Sequence, residues 1–407
     1  MDLIKKLLSK KSFLFVWFPA GFILLTIYIR YKMYGFVSND FDDFLFWWAE
    51  ALRTEGLDFI TRQIANYNTP YLFLLWIGGK FIPESFMMIK VIAMISDAIA
   101  AIGIFKIVGH FYKKSWQPLF AAALYTLIPT VMYNSSAWGQ CDGILGACVI
   151  WAVFFCLKDK LNVSWILIGI CFSFKMQGIF LAPFLLMVAL NRRKTFVSGP
   201  LLAAGAAIAM SSPTLFIGDS FIRIISFFFG GLGDMFGARY LSWWLPNLHQ
   251  WFPNDHYDLF RIIGVCLAFT FAVVLVVYGF RSKRLTDEHL MILAALSLII
   301  IPFLLPQMHG RYYFQGEVML FALLFTRIRP AANFVSRVAA FSIYQVSAMT
   351  TFLVLNQVVL LQMHPLFRGL SIAIMFALFL IARECVQYPK YSSQSGCSPD
   401  LLNRTGG

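Results

Sequence analysis

Charge is scarce in this sequence. Only 13% of its 407 residues are Asp, Glu, Lys or Arg, against roughly 25% in an average soluble domain. With 59% of the chain hydrophobic, that scarcity excludes a soluble globular enzyme, a coiled coil and a disordered protein. Acidic residues are scarcer still, 20 against 33 Lys and Arg, giving a formal net charge of +13. The surplus does not read as a nucleic-acid footprint, because no basic run interleaves with stacking aromatics in a polar segment. Cysteine chemistry is missing too. The cysteines are odd in number at 7, most lie in apolar runs and no CxxC occurs, so neither a disulfide framework nor a metal site is signalled. No small-residue cleavage site follows the basic segment Met1 to Lys11 and its apolar run to about Ile29, so that run reads as an uncleaved first span. No internal repeat is evident, which weakens an inverted-repeat transporter.

What the chain has in quantity is apolar sequence. Its roughly 240 hydrophobic residues set a ceiling of about 12 spans at roughly 20 residues each. The 43 Phe residues suit lipid-facing helices and interfacial belts better than a polar-lumen β-barrel. Apolar runs recur at 13–29, 86–110, 117–133, 142–156, 163–174, 179–190, 196–217, 259–280, 289–306, 313–326, 338–363 and 369–382. The expected fold is therefore an all-α polytopic membrane protein with about 12 transmembrane helices. Residues 1–382 form a single domain in this reading, with outer loops 30–85 and 218–258 and a cytoplasmic tail at 383–407.

One further run, Tyr71 to Ile82, fixes the topology. It is too short to span comfortably. If it crossed the membrane, Lys113, Lys114, Lys158, Lys160, Arg192, Arg193 and Lys194 would all fall outside. If it lies at the outer face they stay with Lys5, Lys6, Lys10 and Lys11 on the cytoplasmic side, as the positive-inside rule favours. Both termini are then cytoplasmic, and 163–174 and 179–190 form a pair dipping to an outer turn near Lys175. Seven segments on the inner side hold 20 Lys and Arg against 6 Asp and Glu, so the basicity is a topological label.

Four segments share the other face: 30–85, Asn134 to Asp142, 218–258 and Gln307 to Tyr312. Asp40, Asp42 and Asp43 open the first, just past a span, where carboxylates bind a cation, act as a general base or sit harmlessly in water. Residues Phe44 to Leu57 fit an amphipathic helix on the membrane surface. Tyr67 and Asn68 precede Pro70, which suits a helix start. Trp138, Gln140 and Asp142 lie in a turn with Gly139 and Gly143, and Asp142 heads a strongly apolar run where a carboxylate is costly unless paired. Lys175, followed by Gln177, wants an anion or snorkels to the interface. His309 and Arg311 suit a grip on phosphate, beside Tyr312. Trp244 and Asn247 suit a sugar face, or equally an interfacial belt.

At these residues the chain resembles the multi-spanning GT-C glycosyltransferases, and among them the bacterial mannosyltransferases similar to the second GPI-anchor mannosyltransferase. The matching elements are Asp40 with Phe44 and Trp47, Tyr67-Asn68-Thr69-Pro70-Tyr71, Trp138-Gly139-Gln140-Cys141-Asp142, Lys175-Met176-Gln177, Pro246-Asn247-Leu248 and Met308-His309-Gly310-Arg311-Tyr312. Two positions depart from the family: Gly310 stands where Glu is common, and Met176 where Pro is usual. The resemblance implies a polyprenyl-phosphate-sugar donor, a glycan or lipid-linked polysaccharide acceptor such as O-antigen, and transfer on the outer side of a bacterial inner membrane. It also extends to O-antigen glucosyltransferases, so the hexose is glucose or mannose. No Rossmann-like domain for a nucleotide sugar is present.

The expected chemistry is an inverting displacement. Asp40, Asp42 or Asp43 accepts the acceptor's proton, and Lys175, His309 and Arg311 stabilise the departing lipid phosphate. Tyr67, Asn68, Trp138, Gln140, Asp142, Gln177, Trp244, Asn247 and Tyr312 are the candidate contacts to sugar or acceptor. No cofactor and no metal are called for. The rival class is a flippase for a lipid-linked glycan, which also wants outer-face cations and intramembrane acids.

Overall fold

The computed structural model describes residues 17–62, 67–113, 115–218, 240–283, 285–326, 331–356 and 363–394. The basic N-terminal segment, Asn66, residues 219–239 of the 218–258 loop and the tail beyond Gln394 lie outside these residues.

The chain is helical, as a lipid-embedded backbone requires, because a helix satisfies its own N–H and C=O groups. Its principal helices are α1 (Phe18–Met33), α2 (Trp47–Thr54), α3 (Thr69–Phe81), α4 (Ser85–Phe111), α5 (Gln117–Tyr125), α6 (Asp142–Leu157), α7 (Leu161–Phe174), α8 (Ala182–Asn191), α9 (Ser198–Ser211), α10 (Tyr257–Arg281), α11 (Asp287–Leu304), α12 (Phe314–Leu324), α13 (Ala331–Leu355) and α14 (Met363–Gln394). Among the described residues, six helical stretches are long and apolar enough to cross a membrane: Ser85–Phe111, Ser198–Ile217, Asn254–Arg281, Asp287–Leu304, Asn333–Leu355 and Pro365–Gln387. Shorter apolar helices fill in between them.

Local sequence explains the starts. Glu84 accepts from the backbone N–H groups of Phe86 (3.0 Å) and Met87 (2.6 Å) to cap α4, and Thr286 caps α11 through His289 N. Such side-chain acceptors satisfy amides that have no partner inside the helix. Pro70 occupies the first turn of α3, where its missing N–H costs nothing. The 117–133 run is broken rather than continuous. Pro129 starts a new short helix, Pro129–Met132, with Ile128 before it at φ −59° and ψ 125°, the extended conformation a pre-proline residue favours. A π-turn, Tyr133–Ala137, follows.

Burial sorts the helices. In α11 every residue from His289 to Ile299 is buried, as expected for a helix apolar all round at the centre of a bundle. By contrast α10 exposes Ile262, Phe269, Val274 and Phe280, a lipid-facing side. The amphipathic helix expected over 44–57 is present in shorter form as α2, preceded by a π-helix at Phe41–Phe46. It buries Trp48, Ala49, Ala51 and Leu52 and exposes Trp47.

Polar contacts mark two ends. At one, His110 meets Asp287 at 2.7 Å and Lys158 at 2.9 Å. At the same end Asn191 donates to the carbonyls of Gly279, Ser282 and Lys283, and Arg192 pairs with Asp159 at 3.0 Å. These are the basic segments that charge assigns to one side of the membrane. Helix α3 begins and ends at the other end. Its N-terminus adjoins the Tyr67 cluster described below, and its C-terminus is only three residues before α4, whose first turns (Lys90) contact Tyr34 and Phe36. At about 1.5 Å per residue its 13 residues reach roughly 20 Å, short of a hydrocarbon core of about 30 Å. By length alone it falls short of a span, in line with the outer-face position expected from the charges. The last helix runs on through Gln394, so residues 383–394 are helical where a tail was expected.

Candidate active site

The turns opposite the basic end converge. Arg311, in the 3₁₀ turn Gly310–Tyr313, is 8% exposed and sits at the centre. One guanidinium nitrogen donates to Gln140 Oε1 and to the Tyr67 hydroxyl at 3.2 Å, and lies 3.7 Å from Asp40 Oδ2. Its plane lies over the Trp138 ring, 4.9 Å from the centroid. Asp40 Oδ2 accepts from the Trp138 indole at 3.0 Å and from the Gln140 amide at 2.6 Å. The Tyr67 hydroxyl donates to Gln140 Oε1 at 2.6 Å. Gln140 thus bridges acid and base, its nitrogen on the carboxylate and its oxygen on the guanidinium, alongside their longer direct ion pair.

A second pair stands beside the first. Lys175 donates to Asp142 Oδ1 at 2.9 Å, Asn134 donates to Asp142 Oδ2 at 3.1 Å, and the ammonium lies 4.4 Å from the centroid of the Tyr67 ring. The helices explain the encounter. Helix α6 leaves the site from Asp142 and α7 returns to it at Phe174, so an acid at the start of one meets a base just past the end of the other. Burial works against the Lys175 charge, but Asp142 outweighs it and holds the ammonium's pKa well above its ordinary value. Burial pushes the Tyr67 phenol up to about 12, so it remains a hydrogen-bond donor.

Backbone shape matters at two glycines. Gly139 has φ +70°, and a Cβ there would lie 2.9 Å from the Phe41 ring. Only glycine fits that combination. At Gly310 a Cβ would lie 2.3 Å from Thr351 Cγ2 and 2.9 Å from Leu355 Cδ1. The position where the resembled family commonly carries Glu is therefore packed against α13.

The remaining candidates divide. Asp42 and Asp43 are exposed and stand outside the Asp40 network, in the first turn of the π-helix Phe41–Phe46. His309 pairs in a two-residue parallel strand contact, Ser242–Trp243 with Met308–His309, and its ring lies 5.9 Å from that of Tyr312. Burial, Arg311 and Lys175 all press its pKa well below the usual imidazole value, so it supplies a neutral, hydrogen-bonding imidazole. Trp244 bridges to His309 through the backbone and packs on Phe367 at 6.1 Å. Asn247 is fully buried and spent on the loop: its amide donates to Leu305 O at 3.1 Å and its oxygen accepts from His249 N at 3.1 Å. Gln177 is buried in the 3₁₀ turn after Lys175.

Two donors in the site are buried with no hydrogen-bond partner among the described residues, Arg311 Nε and Asn68 Nδ2. A buried donor without an acceptor is costly. Among the described residues the cations there are Arg311 and Lys175, balanced by Asp40 and Asp142.

Sequence reading passed over several buried ionisable groups. Arg30 pairs with Asp97 at 2.8 Å and donates to Ser135 and Ser136 in the turn that carries Trp138. Lys90 and Glu317 are fully buried. The readable signal was a charge inside an apolar run.

Comparison with known proteins agrees with the resemblance. Residues 70–217 match the family described as dolichyl-phosphate-mannose-protein mannosyltransferase. Over 257 residues the chain is 26% identical to GPI mannosyltransferase 1 of Saccharomyces cerevisiae (strain ATCC 204508 / S288c), covering 61% of this chain and 58% of that protein. The chain thus spans little more than half the length of that relative. The family match contains Trp138, Gln140, Asp142 and Lys175 and stops short of Arg311. The chain resembles a GT-C glycosyltransferase of the GPI-mannosyltransferase kind.

Proposed function

We propose that this chain is an integral membrane mannosyltransferase. It moves a mannosyl group from a polyprenyl-phosphate donor to a hydroxyl of a cell-surface glycan, such as lipid-linked O-antigen, on the non-cytoplasmic face of a bacterial inner membrane. The observation that carries the reading is Arg311 and Asp40 joined through Gln140, beside Lys175 with Asp142. The family match and the yeast relative are both mannosyltransferases by description, which favours mannose over glucose.

The reaction is a single displacement. The acceptor oxygen attacks the anomeric carbon, its proton passes to Asp40, and the bond from that carbon to the phosphate oxygen breaks with its electrons going to the phosphate. Asp40 suits the base because its side chain is 38% exposed while Arg311 is only 9% exposed. An acceptor can therefore reach the carboxylate from outside. A base so positioned contributes about 10²–10⁴-fold. Arg311 and Lys175 lie where the departing phosphate's charge is met in a site largely closed to water, where fixed charges act most strongly. Gln140, released from Arg311 as phosphate takes its place, stays on Asp40 through its amide.

Transfer of labelled mannose from polyprenyl-phosphate mannose tests the reading with membranes carrying Asp40→Asn and Arg311→Ala. Both are expected to insert normally and to lose transfer by about 10²-fold or more. Full transfer in both removes the site assignment. A flippase would move the lipid and form no new glycosidic bond.

A further inference from the structure

The segment before Asp40 is held by a buried cation that the chemistry above does not use. Lys90 lies in the second turn of α4 and is fully buried. Its ammonium donates to the carbonyls of Tyr34 (2.5 Å) and Phe36 (2.7 Å). It also lies 4.4 Å from the centroid of Phe86, 5.4 Å from Phe41 and 5.5 Å from Tyr34. Among the described residues no carboxylate stands within ion-pair distance of it. Two carbonyls and three ring faces are what compensate its burial.

Removing an ammonium from water is expensive, and even complete buried ion pairs are often replaced by apolar residues at no cost in stability. Stability alone therefore does not account for a lysine here. Its partners do. Residues 34–38 lead from α1 into the turn that begins at Asp40, and the two accepting carbonyls belong to that lead. Phe41, next to Asp40 in sequence, has its backbone N–H bonded to Ser38 Oγ at 3.1 Å. Its ring is the surface against which Gly139 packs. Gly139 in turn lies between Trp138 and Gln140, the two donors to Asp40. Lys90 thus grips the chain before Asp40 and the ring after it, and through that ring the turn that holds the carboxylate.

We propose that Lys90 is a positioning residue for Asp40, fixing the backbone on either side of the carboxylate so that one of its oxygens stays on Trp138 and Gln140 and the other faces the acceptor. The inference rests on Asp40 being the base. A misplacement of about 1 Å costs on the order of 10²-fold in rate.

The test uses the full chain in membranes and four variants: Lys90→Met, Lys90→Arg, Asp40→Asn, and Lys90→Met combined with Asp40→Asn. Lys90→Met is expected to lower kcat by about 10²-fold with the donor KM unchanged. Lys90→Arg, which can still reach both carbonyls, is expected to recover most of that loss. In the Asp40→Asn background Lys90→Met is expected to cost nothing more, because a residue acting only through another is non-additive with it. Wild-type kcat in Lys90→Met while Asp40→Asn is inactive overturns the role of Lys90 alone, as does a loss that adds in full to that of Asp40→Asn. Full transfer by Asp40→Asn instead overturns the reading of the site. If Lys90→Met fails to accumulate, Lys90→Gln, which keeps a donor for one carbonyl, is held to the same criteria.

Discussion

The Lys175–Asp142 pair offers a perturbation whose structural and chemical consequences separate. The two side chains are 12% and 3% exposed and 2.9 Å apart, so removing either leaves an uncompensated buried charge. Breaking such a pair costs about 3–5 kcal/mol, whereas removing both charges together is often neutral. Lys175→Met and Asp142→Asn are each expected to destabilise the protein by about that amount, and the double variant is expected to regain most of it. Asn134, which donates to Asp142 Oδ2, keeps an oxygen acceptor in Asp142→Asn and so adds little to the cost. Activity is expected to follow a different pattern. If Lys175 meets the donor's phosphate, the double variant recovers its fold but not its transfer, and remains about 10²–10³-fold below wild type. The assay is a pair of measurements on one preparation: the thermal unfolding midpoint in detergent, and kcat/KM for mannosyl transfer. A double variant that regains both would show the lysine to be a partner for Asp142 and nothing more, and would refute the phosphate assignment.

Further outcomes can be checked on the same material. Gly310→Ala forces a methyl group to 2.3 Å from Thr351 Cγ2, and overpacking of this kind costs about 1–3 kcal/mol; the unfolding midpoint reads it, and Thr351→Ser is expected to relieve part of the cost. His309 has its pKa depressed in the folded chain by burial, Arg311 and Lys175, so the unfolded chain takes up a proton that the folded one refuses. Stability is then expected to fall as pH drops below the unfolded value of about 6.5. His309→Gln is expected to flatten that acid slope, and an unchanged slope would show that His309 does not carry it.

Most of the site was legible because the topology could be counted. With the basic segments taken to set the parity of the spans, the turns holding Asp40, Trp138, Asp142, Lys175 and Arg311 were expected to share a face, and the structure brings these side chains into contact. Pairing within the face was not legible, since it depends on helix packing. Nothing in a run of three nearby aspartates says that Asp40 alone reaches Gln140 while Asp42 and Asp43 face away from that network. The single amide of Asn247 reads equally as a sugar contact and as the clasp on Leu305 that it is. Lys90, Asp97 and Glu317 were visible as charges inside apolar runs, yet their hydrogen-bond and ion-pair partners come from distant segments of the chain and no spacing reveals them. The break after Tyr125 was readable from Pro129. The continuation of α14 to Gln394 was not, because its last turns are polar in sequence.

The most direct test is mannosyl transfer by purified protein in liposomes, with polyprenyl-phosphate mannose as the donor and the product's anomeric configuration determined. The account predicts a new glycosidic bond of inverted configuration, lost by about 10²-fold or more in Asp40→Asn. A product of retained configuration, or undiminished transfer by Asp40→Asn, would contradict it.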